Sequence, residues 1–196
     1  MEPLSLDVPS SFESERFVLR SYRPGDGAIY FAAGVRNREH LGRYESMNVI
    51  LAPKSEADAE ELVQELAAEW AARRSFFAGI FARASGAWVG QLYIGVVNWD
   101  TPEFELGYVV DREHERQGVI SESVHAALVF IFDQLQAHRV SLRCDDTNER
   151  SYWVAERAGF VREGHLREDH RHPDGTFTGT YVYGLLESDY RSRAAR

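Results

Sequence analysis

"FELGYVVDREHERQGVISESV", residues 104–124, is the stretch from which the fold can be read. It opens as a strand. Phe104, Leu106, Tyr108 and Val110 fall on one face, and Glu103, Glu105, Gly107 and Val109 on the other, by the period of two that an extended chain imposes. It ends as a helix. Ile120, Val124, Leu128 and Ile131 recur at the spacing that lines one helical face. Between the two lies an acidic, polar run that stops at one glycine, Gly118. A helix start offers unpaired N–H donors and a positive partial charge, so it suits an anion. A glycine in the turn before it permits close approach and unusual dihedrals. The same glycine fits an ordinary turn. Neither the Walker pattern nor GxGxxG is present, so the local residues leave both readings open.

Working outward, "SERFVLRSY" (14–22) predicts a first strand closed by the turn "RPGDG". Ala28 to Leu41 is helical in pattern, and "LGRYESMNVILAP" is a loop. From Ser55 to Ser75, Leu62, Leu66 and Trp70 form a helical stripe. "SFFAGIFAR" and "AWVGQLYIGVVN" are strands around a turn at Ser85-Gly86. After residue 131 come a strand "RVSLRC", a helix from about Asn148 to Arg157, a segment "FVREGHL" and a last strand "GTYVYGLL". Strands outnumber helices but are interleaved with them, which predicts an α/β (α+β) fold with a mixed sheet packed by helices.

Composition narrows the function. The chain has 196 residues, no repeat and no linker, so residues 1–196 are expected to form a single domain with a core of its own. A formal charge of −9 argues against nucleic-acid binding, which needs clustered Lys and Arg, and suits a cationic partner. Cys144 is the only cysteine, which excludes an internal disulfide framework and a CxxC metal site. No signal-peptide pattern precedes Phe17 and no apolar run approaches the length of a membrane span. The expected location is the cytoplasm, with no membrane partner.

Two further stretches carry chemistry. In "CDDTNERSYWVAERAGF" (144–160), Asp146 or Thr147 is placed to cap a helix, with Glu149 completing a capping-box pattern after Asp146. Gly159 sits where a helix C-terminal glycine belongs. Asn148 and Ser151 then either belong to the helix start or point into a cleft at the sheet's edge. In "GHLREDHRHPDGTF" (164–177), His165, His170 and His172 invite a metal reading. A Pro-Asp-Gly turn, no cysteine and no second histidine pair favour a solvated hairpin without metal.

Taken together, these segments resemble the GNAT superfamily of N-acetyltransferases, and within it the RimJ/RimL-type branch. The resemblance runs from "SERFVLRSYRPGD" to "GTYVYGLL". "FELGYVVDREHERQGVISESV" is similar to the strand-loop-helix that binds acetyl-coenzyme A, where the superfamily carries Q/R-x-x-G-x-G/A. "NERSYWVAERAGF" is similar to the N-x-x-S/A helix with its Gly-Phe ending. The resemblance implies a mostly antiparallel sheet of about seven strands, splayed between the fourth and fifth. It implies that Arg116, Gln117, Gly118, Val119, Ile120 and Ser121 cradle the pyrophosphate, that Val109 and Val110 pair with the pantetheine arm, and that Asn148 helps hold the cofactor. Three residues depart from the pattern. Glu115 stands for Gln or Arg and brings negative charge close to an anion, Arg116 replaces a frequent glycine, and Ile120 replaces Gly or Ala.

The implied reaction is direct transfer of acetyl from acetyl-coenzyme A to a primary amine. Many relatives protonate the leaving thiolate with a tyrosine where this chain has Ala155, so Ser151 is the acid candidate. Glu105, on the strand entering the cleft, is the first base candidate and His170 the second. Acidic groups such as Glu103, Glu105, Glu168 and Asp169 are expected around the cleft mouth. The branch implies a protein or peptide N-terminal amine as acceptor, of the ribosomal-protein type, and admits a homodimer. Two rivals are acetylation of a small amine, such as an antibiotic or polyamine, and a catalytically silent acyl-coenzyme A-binding module. A generic interaction domain, in which the motifs are coincidental, is a third. Residues 34–54 and 165–178 are expected to shape the acceptor.

Overall fold

The computed structural model describes residues 5–172 and 174–194. Pro173, in the expected Pro-Asp-Gly turn, therefore lies outside the described residues. Eight strands form one sheet: β1 (Ser11–Glu13), β2 (Phe17–Ser21), β3 (Ser75–Ala82), β4 (Trp88–Asn98), β5 (Glu103–Val110), β6 (Arg139–Asp145), β7 (Val161–Arg171) and β8 (Phe177–Leu186). Their spatial order is β1-β2-β3-β4-β5-β6-β8-β7. Five helices flank it: α1 (Gly27–Leu41), α2 (Glu56–Ala71), α3 (Val119–Val129), α4 (Glu149–Ala158) and α5 (Glu187–Ala194). The strand beyond the expected seven is β1, three residues long, and α5 is also additional to the sequence reading. Among the described residues no helix is long and apolar enough to cross a membrane.

Period-two patterning in the strands feeds two cores, one on each face. Leu19, Phe76, Ile80, Leu92, Ile94, Phe104 and Leu106 pack with Val124, Leu128 and Ile131 from the α3 side. On the opposite face Tyr22, Phe81, Trp88 and Val109 pack with Tyr30, Ala33 and Leu41 of α1 and with Val63 and Leu66 of α2. Burying one such side chain contributes about 1.5–3 kcal/mol. The stripe of α2 is rotated slightly from the expected one. Ala59, Val63, Leu66 and Trp70 are buried, and Leu62 lies at its margin.

Helix α3 passes into a wider π turn at Phe130–Gln134, closed by Leu135 N–H donating to the Phe130 carbonyl at 3.1 Å. Phe130, Ile131 and Phe132 are all buried there. Phe130 stacks on Phe12 at 4.6 Å and Phe132 on Tyr190 of α5 at 4.6 Å. Apolar neighbours thus cover this end of the helix on several sides, and β1 and α5 supply two of them.

The feature that positions a site is the junction of β5 and β6. All other neighbouring strands pair antiparallel; these two are parallel and pair only at Glu103–Arg139, Phe104–Val140 and Glu105–Ser141. Beyond Glu105 the strands separate, so the sheet forks. The splay falls between the strands predicted to be the fourth and fifth, which β1 renumbers as the fifth and sixth.

Candidate active site

The fork opens toward two helix starts. After β5, the chain makes a short 3-10 turn at Arg112–His114, capped by the side chain of Asp111, and reaches α3 through Gly118. Gly118 adopts φ 76° and ψ 7°, a left-handed conformation. Arg116, at the position where relatives often carry glycine, is also left-handed at φ 59°. Backbone of this hand costs an L-residue roughly 1–2 kcal/mol. Two such residues turn the loop sharply and aim the first amides of α3 outward. Gly118 supplies no side-chain cap, and among the described residues the N–H groups of Val119, Ile120 and Ser121 have no acceptor.

This loop is held from behind. Asp111 is fully buried and forms a two-pronged ion pair with Arg36 of α1. Burial would raise its carboxyl, but the Arg36 ion pair, the Glu113 N–H and the nearby His114 together outweigh burial and hold it below the ordinary range. Asn37 accepts from the Arg112 N–H at 2.8 Å, and Gln117 donates to the Glu113 carbonyl at 2.9 Å. Arg16 binds both Glu122, at 2.6 Å, and the Gln117 carbonyl, at 3.0 Å. The Glu115 carboxylate pairs with Arg150 of α4 and, at 3.3 Å, with His40 of α1. Its negative charge is therefore compensated within the chain.

The second helix start, at α4, is closed. Asn148 is the cap: its side-chain oxygen accepts from the Ser151 N–H at 3.3 Å. Asp146 and Thr147, which the sequence places to cap this helix, have other partners. Asp146 instead pairs with His165 at 2.7 Å, and Thr147 donates its N–H and hydroxyl to Asp145 at 2.8 and 2.6 Å. Gly159 ends α4 at φ 102°, as its position predicted. The Ser151 hydroxyl donates to the Tyr108 hydroxyl at 3.2 Å, and Tyr108 donates to the Ser151 carbonyl at 2.8 Å. Burial pushes the Tyr108 phenol well above its ordinary value of 10.0, so it stays protonated.

A third wall comes from residues 42–48 and the β7–β8 hairpin. Tyr44 reaches the Thr147 carbonyl at 3.4 Å and meets the His172 ring edge-on at 6.3 Å. His172 Nε2 lies 3.1 Å from Asp145 and 2.9 Å from Thr178 Oγ1, and Thr178 donates to Asp145 at 2.5 Å. Glu45, in the same loop as Tyr44, is exposed. Its carboxylate accepts from the Asn48 amide at 3.4 Å. Its charge also acts on Tyr108.

The predicted residues thus divide. Val109, Val110, Gly118, Val119, Ile120 and Ser121 lie along the end of β5 and the start of α3, and Asn148 and Ser151 at the start of α4, linked to β5 through Tyr108. Arg116 is exposed, and the Gln117 side chain is used within the loop. Glu105 sits at the last paired position of the fork, beside Tyr93, whose phenol burial and the Glu105 charge both raise. His170 is exposed on β7, its ring 4.8 Å from that of His172. Two members of the expected acidic rim are neutralised: Glu103 pairs with Arg139 at 3.1 Å and Asp169 with Arg143 at 3.7 Å. Nothing in the sequence singles out Tyr108 or Glu45. The first looked like an ordinary core position, and the second lay in a loop without periodicity.

Comparison with known proteins fits this geometry. Residues 16–161 match the family model of the acetyltransferase (GNAT) domain. The chain belongs to the GNAT acetyltransferase family. It is 23% identical over 179 residues to a Bacillus subtilis protein named "Putative ribosomal N-acetyltransferase YdaF", covering 90% of this chain and 94% of that one. It is 26% identical over 106 residues to the spermidine N(1)-acetyltransferase of Vibrio cholerae, covering 54% and 61%. Among solved structures, Mycobacterium smegmatis RimJ in complex with CoA-disulfide superposes with a TM-score of 0.80 at 23% identity, over 100% of this chain and 97% of that one. The protein is an acyltransferase of the N-acetyltransferase type. Ribosomal-protein enzymes among its relatives and neighbours agree with the RimJ/RimL-type branch.

Proposed function

We propose that the fork binds acetyl-coenzyme A and that the enzyme transfers its acetyl group to the α-amine of a protein or peptide. One observation carries this reading. The uncapped start of α3 opens on the same fork as the Tyr108–Ser151 hydroxyl pair. An anion-binding end and a hydroxyl pair are what a phosphate-bearing thioester needs at its two ends.

The thioester supplies an activated acetyl group. The free amides of Val119, Ile120 and Ser121 receive the pyrophosphate, which is why side-chain changes at Glu115, Arg116 and Ile120 leave the cradle in place. Val109 and Val110 offer backbone groups to the pantetheine arm, and an amide there polarises the thioester carbonyl. Asn148 spends its side-chain oxygen on the cap and keeps its amide N–H2 for the cofactor. Ser151 directs a hydrogen bond at the departing sulfur once its hydroxyl turns from Tyr108.

An ammonium cannot attack, so a base must take its proton. Glu45 joins Glu105 and His170 as a candidate. Support for Glu45 is its place in the 42–48 loop, whose Tyr44 reaches the Thr147 carbonyl at 3.4 Å just ahead of the start of α4. Proton transfers of this kind are worth about 10²–10⁴ in rate. An α-amine has a reference pKa of about 7.7–8.0 against about 10.4 for lysine, so it presents more neutral nucleophile to a weak base near neutral pH. The ribosomal-protein relatives support the same acceptor, and the polyamine relative is the reading it must beat.

The test is acetyl-coenzyme A binding by calorimetry, followed by competition between three acceptors. These are a peptide with a free N-terminus, the same peptide N-terminally blocked but carrying lysine, and spermidine. Preference for the free N-terminus is expected. Preference for spermidine or the blocked peptide would remove the α-amine assignment and leave acetyl transfer intact.

A further inference from the structure

The ion pair between Glu115 and Arg150 joins the two helix starts. Glu115 lies three residues before Gly118 in the loop of α3, and Arg150 lies between the cap of α4 and Ser151. No other ion pair among the described residues links this loop to α4. His40 shares the other Glu115 oxygen at 3.3 Å, so that carboxylate keeps a partner if Arg150 leaves. Among the described residues Arg150 has only Glu115 as a charged partner, and about half of its side chain is exposed.

Resting on the acetyl-coenzyme A reading above, we propose that Arg150 is a phosphate-binding residue of the cofactor site and that Glu115 is its built-in competitor. In the free protein the pair straps the loop to α4 beside the mouth of the fork. A phosphate group arriving at the amides of Val119, Ile120 and Ser121 brings more charge than a carboxylate and a geometry that guanidinium grips with two prongs. Arg150 moves to it, and Glu115 stays with His40. The carboxylate thus weakens only ligands that must take Arg150 away, and a ligand without phosphate neither gains from Arg150 nor bears the cost of its release.

This accounts for one of the three departures from the family pattern, Glu115. An acidic residue at the edge of an anion cradle opposes binding only while its charge is uncompensated. Here Arg150 balances its charge in the free protein, and the His40 ring stays within 3.3 Å of it in the bound one.

The test measures dissociation constants calorimetrically for coenzyme A, 3′-dephospho-coenzyme A and pantetheine, with wild-type protein, Glu115→Gln, Arg150→Gln, Arg150→Lys and the Glu115→Gln/Arg150→Gln double variant. Glu115→Gln is expected to tighten coenzyme A by about tenfold, and Arg150→Gln to weaken it by about tenfold, the usual scale for a charge-assisted contact. Arg150→Lys should recover part of the loss. The gain from Glu115→Gln should shrink in the double variant, because its competitor role needs Arg150. Pantetheine, which has no pyrophosphate, should respond to none of these changes. An effect that persists with 3′-dephospho-coenzyme A assigns Arg150 to the pyrophosphate, and one that vanishes assigns it to the 3′-phosphate. Unchanged coenzyme A affinity in Glu115→Gln and Arg150→Gln overturns the inference alone. Failure of wild-type protein to bind coenzyme A overturns the cofactor reading with it.

Discussion

Two helix starts flank the fork, and they are finished in opposite ways. At α4 a side chain caps the helix: Asn148 takes the Ser151 N–H. At α3 a left-handed glycine stands where a capping side chain would be, and the first three amides are left open. A capping oxygen and a bound anion compete for the same donors. A start that is capped is spent on stability, and one that is not is available to a ligand. The proposed function puts the open start to use for phosphate and the capped one beside the reacting end, on two helices of similar length.

The strongest way to break this contrast is to close the open start. Acetyl-coenzyme A at a hundredfold excess over its dissociation constant should stabilise the native protein by about 2.7 kcal/mol. Gly118→Val is expected to abolish most of that gain. It also costs roughly 1–2 kcal/mol of backbone strain, and the added Cβ would stand 3.2 Å from Arg16. Thermal denaturation with and without ligand separates the two effects. A full ligand-induced shift in the variant would mean that the cradle is elsewhere.

At the closed start, Ser151→Ala should lower turnover by about 10²-fold while leaving cofactor affinity nearly unchanged. Tyr108→Phe should fall between wild type and Ser151→Ala, since it removes the hydroxyl that orients Ser151 and keeps the ring. Steady-state kinetics with a fixed acceptor measures both. Full turnover in Ser151→Ala, with lost stability, would reduce that hydroxyl to part of the helix start.

Asn148 sharpens the comparison because it serves both purposes. Asn148→Ala should cost about 1 kcal/mol of stability as a lost cap. Asn148→Asp should retain the cap and still weaken cofactor binding, because it replaces the free N–H2 with a negative charge. Equal ligand affinity in Asn148→Asp and wild type would limit Asn148 to capping.

The smallest effect is acid-dependent. Burial would raise the Asp145 carboxyl, but hydrogen bonds from Thr147 and Thr178 and the charge of His172 outweigh it and hold it below its ordinary 3.8. A depressed carboxyl contributes stability that is complete above the ordinary value and is lost as pH falls through the folded value. Asp145→Asn is therefore expected to be less stable near neutral pH and to lose less on acidification. Urea midpoints between about pH 6 and about pH 3 test this, and parallel curves would contradict it.

The parts legible in the sequence were those whose physics is local. Period two in residues 103–110, period 3.6 after Gly118 and the glycine at 159 each depend on neighbours a few residues away. The splay itself came from the family resemblance, not from the pattern. The rest depends on contacts between distant residues. Tyr108 and Ser151 are 43 residues apart, and Glu115 and Arg150 are 35 apart. No spacing rule marks either pair. Asp146, Thr147 and Asn148 are all capping types in a row, so composition alone leaves the cap among three candidates. The start of β7 was read, but its length was not, because every residue but Gly164 is exposed and so carries no burial pattern.

The brief pairing of β5 with β6 has a mechanical side. Three residue pairs join the five-stranded wing β1–β5 to the three-stranded wing β6-β8-β7, whereas β6 and β8 are joined by seven. The sheet is therefore most easily flexed along one line, with Glu105 and Ser141 at its end. Any molecule that lies in the fork and bonds to both wings acts as a stitch across that line. It stiffens the whole sheet while touching only its margin. Slowed amide exchange would then be expected on both wings when the fork fills, including at residues that no ligand reaches.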